Sequence, residues 1–455
     1  MVAISWSIFP FGGTVGLVIF AVVASFIGSL PLLLDRLLAH RLSGVARTLV
    51  FPVAVAGLEF LGGINDNFGS WGATAYTQVD HPALLQVVAL VGLPGVAFLV
   101  AWFASTANEL WEADWDARRR WRPLALVGSV LALVIGFGAL RLATRPPPAD
   151  TARVAAISTA RWGGFGDKEI LRRFKGDDPL AVADLEAIRG SDAPQNRLLL
   201  DAARREAQAG AKLVVWAEAA AVVVDLDEEA FIQRGRALAR ELDFTLAMAV
   251  GVLDTGDAPR RITNKLVLVT PDGEVASEYL KAIPTPGGER AWSNRGDGVL
   301  QVVDTPVGRV ASVICYDADF PALLAQAGAL DVDLLLVPAG DWDAVAEMHS
   351  AMAGLRAIEQ GVCVLRPAAA GLSTAVDPYG TVLARHRWVE GGGTNALVAW
   401  VPTQGVETLY ARTGDLFGWL NVLALLGLMG SGVVRAVRRR LVLRGESVAI
   451  PGGAV

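Results

Sequence analysis

Three apolar runs end on or beside reactive side chains. Glu218 closes Leu213-Val214-Val215-Trp216-Ala217-Glu218, Lys281 closes Glu278-Tyr279-Leu280-Lys281, and Cys315 closes Val310-Ala311-Ser312-Val313-Ile314-Cys315. A carboxylate, an amine and a thiol can make one acyl-transfer site. The carboxylate takes the thiol proton, the thiolate attacks a carbonyl, and the ammonium stabilises the charge that develops on oxygen. Each residue alone has a plainer reading: a solvated strand end, a surface lysine, a core thiol. Their shared position favours a common site, because open α/β sheets carry their chemistry at the C-terminal ends of strands.

Such a site needs a folded domain to position it. Arg145-Pro146-Pro147-Pro148 is a stiff boundary, and the roughly 260 residues that follow are enough for one large core. Apolar runs alternate with helical patterns at Val154–Ile157, Arg197–Gln208, Leu213–Trp216, Glu228–Glu241 and Leu246–Val252, which argues α/β. From Asn264 the pattern changes to hairpins. Leu266–Val269 and Val275–Tyr279 flank Pro271-Asp272-Gly273; Leu300–Asp304 and Val310–Ile314 flank Pro306–Gly308. A helix (Pro321–Ala327), a strand (Leu334–Val337), a helix (Met348–Glu359) and strands at Val362–Arg366 and Leu397–Val401 complete the series. Gly163–Pro194 is long, polar and charged, and reads as a mobile surface insertion or disorder.

The rest of the chain is built for lipid. Hydrophobic residues make up 53% of it and mean hydropathy is +0.43, an excess concentrated in a few stretches. Phe11–Leu34 and Ala83–Ala104 are uncharged and long enough to span a bilayer. Leu124–Leu140 is shorter, Thr48–Ile64 is interrupted by Glu59, and Leu416–Val434 lies near the C-terminus, giving about five spans. Phe11–Leu34 lacks the basic leader and small-residue cleavage site of a signal peptide. Arg36, Arg41 and Arg47 follow the first span, Arg118, Arg119, Arg120 and Arg122 follow the third, and Arg435, Arg438, Arg439, Arg440 and Arg444 follow the last, whereas Ser70–Pro82 has no Lys or Arg. Positive loops stay in the cytoplasm, which puts the N-terminus outside and everything from about Thr144 to Gly414 outside as well. The expected division is residues 1–144 as membrane region, 145–414 as catalytic domain, and 415–455 as a C-terminal span with a basic cytoplasmic tail.

Other chemistries fit poorly. A net charge of −6 gives no support for a nucleic-acid partner. His40, His81, His349 and His386 are scattered without metal-ligand spacing, so no metal or other cofactor is expected. Cys363 lies in the apolar run Val362-Cys363-Val364-Leu365 and reads as a core filler rather than half of a disulfide.

The order Glu218, Lys281, Cys315 in these contexts resembles the nitrilase superfamily of carbon–nitrogen hydrolases. Asn264 before the Lys, Glu289 after it, Tyr316-Asp317 after the Cys, Arg356-Ala357-Ile358-Glu359-Gln360-Gly361, Gly371-Leu372-Ser373 and Asp377-Pro378-Tyr379-Gly380 strengthen the likeness. Spans on both sides of such a domain, with Glu59, Phe68-Gly69-Ser70-Trp71-Gly72, Tyr76-Thr77-Gln78 and His81-Pro82, resemble the apolipoprotein N-acyltransferases. That resemblance implies a multi-span helical membrane region carrying an α/β nitrilase-like αββα sandwich outside the cytoplasm, in a bacterial cytoplasmic membrane. It implies transfer of an acyl chain from a phospholipid to the N-terminal amine of a lipoprotein diacylglyceryl-cysteine through a thioester on Cys315. Glu218 is then the general base and acid, Lys281 stabilises the oxyanion, Glu289 orients Lys281, and Tyr316, Asp317 and Asn264 support them. Arg356 and Glu359 read as a structural pair at i,i+3. Trp71, Tyr76 and Trp342 are substrate-lid candidates, and Ile283–Asn294 and Gly340–His349 are the loops expected to move. Competing expectations are a membrane-tethered amidase or hydrolase and a catalytically silent scaffold.

The chain departs from the family pattern in several places. It has Trp216-Ala217-Glu218 for Trp-Pro-Glu, Pro286-Gly287-Gly288-Glu289 for Pro-Phe-Gly-Glu, and Asp317 for a Glu. It has Gly340-Asp341-Trp342-Asp343-Ala344 for Asn-Asp-Ala-Trp-Phe, no Gln-x-Asn at Ile157-Ser158-Thr159, and about four spans before the domain for seven.

Overall fold

A computed structural model describes residues 14–64, 68–159, 182–256, 261–286, 289–388 and 393–443. The N-terminal part holds four long helices: α1 (Thr14–Leu38), α2 (Val50–Gly63), α3 (Leu93–Glu112) and α4 (Ala117–Ala143). Among the described residues, three helical stretches are long and apolar enough to cross a membrane: Ala21–Arg41, Val45–Gly63 and Trp121–Ala143. Their outer faces leave Val22, Phe26, Ile27, Leu32, Leu133 and Leu140 at least half exposed, bare apolar surface of the kind that marks a membrane or protein contact. The uncharged stretch Ala83–Ala104 is not one helix. It breaks at Gly92, whose φ is +68°, into a short helical segment ending at Val91 and α3. Pro94 then sits in the first turn of α3, where its missing N–H costs nothing. The first residues of the expected Phe11–Leu34 span, and Arg444 in the tail, lie outside the described residues.

From Thr151 the chain forms two sheets. The first contains β1 (Thr151–Thr159), β2 (Leu213–Trp216), β3 (Ala221–Val224), β4 (Thr245–Leu253), β5 (Ile262–Val269) and β6 (Val275–Leu280), with β15 (Thr394–Pro402) returning beside β1. The order is β15-β1-β2-β4-β5-β6, with β3 pairing the far half of β4. The second contains β7 (Val303–Thr305), β8 (Gly308–Ser312), β9 (Leu334–Leu336), β11 (Cys363–Arg366), β13 (Leu372–Val376) and β14 (Val382–Arg387), in the order β14-β13-β11-β9-β8-β7. A two-residue pair, β10 (Ala339–Gly340) and β12 (Ala368–Ala369), extends the ends of β9 and β11.

All nine residues of β4 and all four of β2 and β11 are buried, as expected of strands covered on both faces. One apolar cluster joins both sheets to helices α5 (Val182–Gln208), α6 (Asp225–Leu242), α7 (Pro321–Ala329) and α8 (Asp343–Gln360), a nitrilase-like helix–sheet–sheet–helix arrangement. The segment expected to be an insertion, Gly163–Pro194, is helical from Val182 onward as the start of α5; its residues 163–181 lie outside the described residues. Isolated apolar side chains such as Ile188, set among charges, bury there against Val222 and Val224 of β3. The last helix, α9 (Leu416–Leu443), leaves the domain and packs beside α2.

The two parts share a core. Ala75, Leu85, Val88, Val96 and Leu99 from the N-terminal part cluster with Leu355 and Ile358 of α8. Polar contacts seal the joint. Leu93 N–H donates to Glu359 at 3.2 Å, Gln86 to the Tyr379 carbonyl at 3.0 Å, and Arg145 to Asp377 at 3.2 Å. Twelve residues of α8 are buried, since it serves the sheet on one side and the N-terminal helices on the other.

Candidate active site

Glu218 stands in a gap in the first sheet. The chain leaves the ladder at the end of β2, passes through Ala217–Ala220 with Ala219 at φ +43°, and rejoins β4 as β3. Lys281 follows β6, and its N–H still pairs with the Asn264 carbonyl of β5 at 2.9 Å. Cys315 ends the path of β8. Its N–H donates to the Pro338 carbonyl at 2.8 Å, and the backbone then turns sharply, with Cys315 at φ +50°, into the 3-10 turn Cys315–Asp319. A positive φ at a residue with a Cβ costs on the order of 1–3 kcal/mol and persists only where its surroundings enforce it.

The sandwich brings these three side chains together, each nearly fully buried. Lys281 Nζ donates to Glu218 Oε1 at 2.7 Å and to Glu289 Oε2 at 2.9 Å. Asn264 Nδ2 donates to the same Glu218 oxygen at 2.8 Å, while Glu218 Oε2 is buried with no hydrogen-bond partner among the described residues. Glu289 also accepts from Thr285 N–H at 2.8 Å and from its hydroxyl, so it is fixed on the lysine. Cys315 Sγ lies 3.8 Å from the Gly340 carbonyl.

Burial pushes the Cys315 thiol well above its ordinary range, and the Glu218 charge adds to this; Lys281 opposes it. The resting residue is therefore a neutral thiol. Burial alone would lower the Lys281 ammonium, but Glu218 and Glu289 overcome it and hold the amine well above its ordinary value. Burial likewise works against the Glu289 carboxylate, yet Lys281 and Thr285 keep it below the usual range. The arrangement offers a fixed cation, a carboxylate with one open oxygen, and a protonated sulfur in one buried place.

Asp317 ties the pieces together. Its oxygens accept Tyr279 O–H at 2.9 Å, Ile283 N–H at 2.8 Å and Ile314 N–H at 3.1 Å. Burial raises it to about 6. Tyr316 packs edge-on against Phe320. Trp342 is half-buried at the start of α8. Of the other two lid candidates, Trp71 donates its Nε1–H to the Asp319 carboxylate, and the Tyr76 hydroxyl oxygen accepts from Arg356 at 2.6 Å. The expected i,i+3 pair Arg356–Glu359 is present, and Arg356 also holds the loop of the N-terminal part through Tyr76. Both cysteines are free; Cys363 is buried in β11.

Sequence reasoning missed a second buried cluster. Arg366 of β11 grips Asp341 with two hydrogen bonds, at 2.9 and 3.0 Å. Asp341 Oδ1 meets His349 Nδ1 at 2.8 Å, and His349 Nε2 faces Asp319 Oδ1 at 3.3 Å. These residues come from four segments. Arg366, which closes the apolar run Val362–Leu365, and Asp319, four residues after Cys315, were the accessible signals.

The fold and this constellation define the class. Residues 180–408 match the family described as carbon–nitrogen hydrolase, and residues 1–106 match the apolipoprotein N-acyltransferase N-terminal domain. The apolipoprotein N-acyltransferase of Gloeobacter violaceus is 30% identical over 86% of this chain and 73% of its own length; that of Rhodopseudomonas palustris is 26% identical over 81% and 70%. Among solved structures, an amidase from Nesterenkonia sp. aligns at 22% identity and a TM-score of 0.44, over 60% of this chain and 97% of the amidase. The chain belongs to the apolipoprotein N-acyltransferase family, within the carbon–nitrogen hydrolases.

Proposed function

We propose that the protein transfers an acyl chain from a membrane phospholipid to the α-amine of a lipoprotein's diacylglyceryl-cysteine, with Glu218, Lys281 and Cys315 as its catalytic residues. One observation carries this reading: Glu218 spends one oxygen on Lys281 and Asn264 and leaves the other buried with no hydrogen-bond partner among the described residues, while its charge acts on the Cys315 thiol. A buried carboxylate oxygen without a donor is costly, and a proton arriving from Cys315 relieves it.

In the first half-reaction the thiol proton passes to Glu218 as sulfur attacks the ester carbonyl. The tetrahedral oxyanion forms against the Lys281 ammonium. Collapse breaks the ester C–O bond, the leaving lysophospholipid oxygen takes the proton from Glu218, and a Cys315 thioester remains. In the second half-reaction the acceptor amine attacks the thioester and Glu218 takes its proton. Collapse then forms the amide and returns the proton to sulfur. Lys281 remains charged throughout because Glu289 stays ionised against it while Glu218 takes and returns the proton.

Both substrates are lipids, which accounts for a membrane seat. We place residues 1–144 and 415–455 as the membrane region and cytoplasmic tail, with about five spans in the bacterial cytoplasmic membrane, and residues 145–414 outside the cytoplasm. The Arg-rich and Arg-free loops support this orientation. The decisive assay supplies purified protein with phospholipid and a diacylglyceryl lipopeptide. The reading expects N-acylated peptide and lysophospholipid in equal amounts. Free fatty acid without acylated peptide would move the assignment to a hydrolase.

A further inference from the structure

The buried cluster beside the nucleophile joins two parts of the molecule that the reaction must bring together. Asp319 ends the turn that Cys315 begins. Its backbone carbonyl accepts Ser70 N–H at 2.8 Å and Ser70 O–H at 2.7 Å, and its carboxylate accepts the Trp71 indole. Gly69 makes that approach feasible: at φ +52°, a Cβ on it would fall 2.5 Å from the Asp319 carbonyl oxygen. The Trp71 ring lies over His349 with centroids 5.6 Å apart. On its other side His349 reaches Asp341, whose neighbour Gly340 presents its carbonyl to Cys315 Sγ. His349 therefore touches the end of the nucleophile turn, the segment beside the sulfur, and the loop of the N-terminal part.

We propose that His349 is a positioning residue that locks the Gly69–Tyr76 loop to the Cys315–Asp319 turn, so that the thiol is aligned for acyl-enzyme formation only while that loop is seated. This rests on Cys315 being the nucleophile. The lock is electrostatic. Three charged groups face the ring: Asp319 from the turn, Asp341 from the segment before α8, and Arg366 from β11, which is already committed to Asp341. A cationic ring bonds Asp341 and balances the charge of Asp319 at 3.3 Å, whereas a neutral ring leaves Asp319 with the Trp71 indole and the two Asp charges unbalanced by one. Burial disfavours the cation, but Asp319 and Asp341 prevail and raise His349 to about 9. The seated state thus holds through neutral pH and loosens above it, while Lys281 and Cys315 titrate well above their own ordinary values and leave that window clear.

The test uses the full chain in lipid–detergent micelles, with phospholipid alone, and follows the acyl adduct on Cys315 by intact mass between pH 6 and pH 10. The wild type is expected to lose its first-step rate with a midpoint near 9. His349→Gln, neutral at every pH, is expected to run about tenfold or more slower at pH 7, with little change in half-saturating phospholipid and without that alkaline midpoint. Asp319→Asn removes one facing anion and should move the midpoint down by about one unit or more, since an opposite charge at this range shifts a pKa by about 1–3 units. This second variant keeps the proposal testable if His349→Gln does not fold. A His349→Gln protein that melts like the wild type and keeps its rate and midpoint would overturn the proposal, as would an unmoved midpoint in Asp319→Asn. A merely structural histidine would lower the melting temperature and leave the midpoint of the folded fraction unchanged. Absence of any adduct in the wild type would instead strike at Cys315 as nucleophile.

Discussion

Asp317 accepts the backbone N–H of Ile283 at 2.8 Å, two residues beyond Lys281, while holding Ile314 N–H at 3.1 Å, one residue before Cys315. One carboxylate therefore sets the register between the lysine loop and the nucleophile turn, which hang from different sheets. It accepts all these donors only when ionised, and burial has raised it to about 6. Activity should fall as pH drops through about 6. The sign for stability is opposite to the usual carboxylate: the folded state binds this proton more tightly than the unfolded state, so its contribution declines as pH rises from the ordinary carboxylate value near 4 to about 6. Asp317→Asn turns one acceptor oxygen into a donor facing N–H groups. It should destabilise the domain by about 1–3 kcal/mol and flatten the acid limb, as read by melting curves and a pH–rate profile.

Glu289 and Asn264 brace the lysine and Glu218 without a direct part in the proposed transfer. Glu289→Gln should lower the Lys281 pKa and reduce the rate by about tenfold to a hundredfold, approaching the loss of about two or more orders of magnitude expected for Lys281→Ala. Steady-state kinetics at several pH values distinguishes the two. Wild-type rates in Glu289→Gln would refute the orienting role.

Tyr76 and Arg356 connect the N-terminal part to α8 at 2.6 Å. Tyr76→Phe leaves the buried guanidinium short of an acceptor and should cost about 1–3 kcal/mol. Because the joint also holds Ser70 against Asp319, proteolytic cleavage in residues 68–78 should accelerate in the same variant.

Cys363 fills a fully buried position in β11. Cys363→Ala should keep full activity with a packing cost of roughly 1 kcal/mol, checked by thermal melting. Reporter fusions after Arg145 and after Arg444 should read opposite compartments. The same compartment for both would sink the proposed topology.

The strands were legible because each site residue interrupts or ends an apolar run: Glu218 after Trp216, Lys281 after Leu280 and Cys315 after Ile314. Three features were harder to read. The Ala83–Ala104 stretch looked continuous because hydropathy averages over Gly92 and Pro94, which break the helix by backbone geometry alone. Helix α5 begins in polar sequence because only a narrow face, with Ile188 and Leu199, meets the sheet. The Asp319–His349–Asp341–Arg366 cluster is assembled from residues 47 positions apart at its widest, and only tertiary packing makes it one unit.

In the proposed transfer Cys315 carries the acyl group between two lipids. Intact mass spectrometry of the purified protein after incubation with a phospholipid of one defined acyl chain tests it most directly. A single added acyl mass is expected on the wild type and none on Cys315→Ala or Glu218→Gln. The adduct should be removed by a diacylglyceryl lipopeptide bearing a free amine and should persist when that amine is blocked. An adduct that survives Cys315→Ala, or lipopeptide acylation by the Cys315→Ala protein, would contradict it.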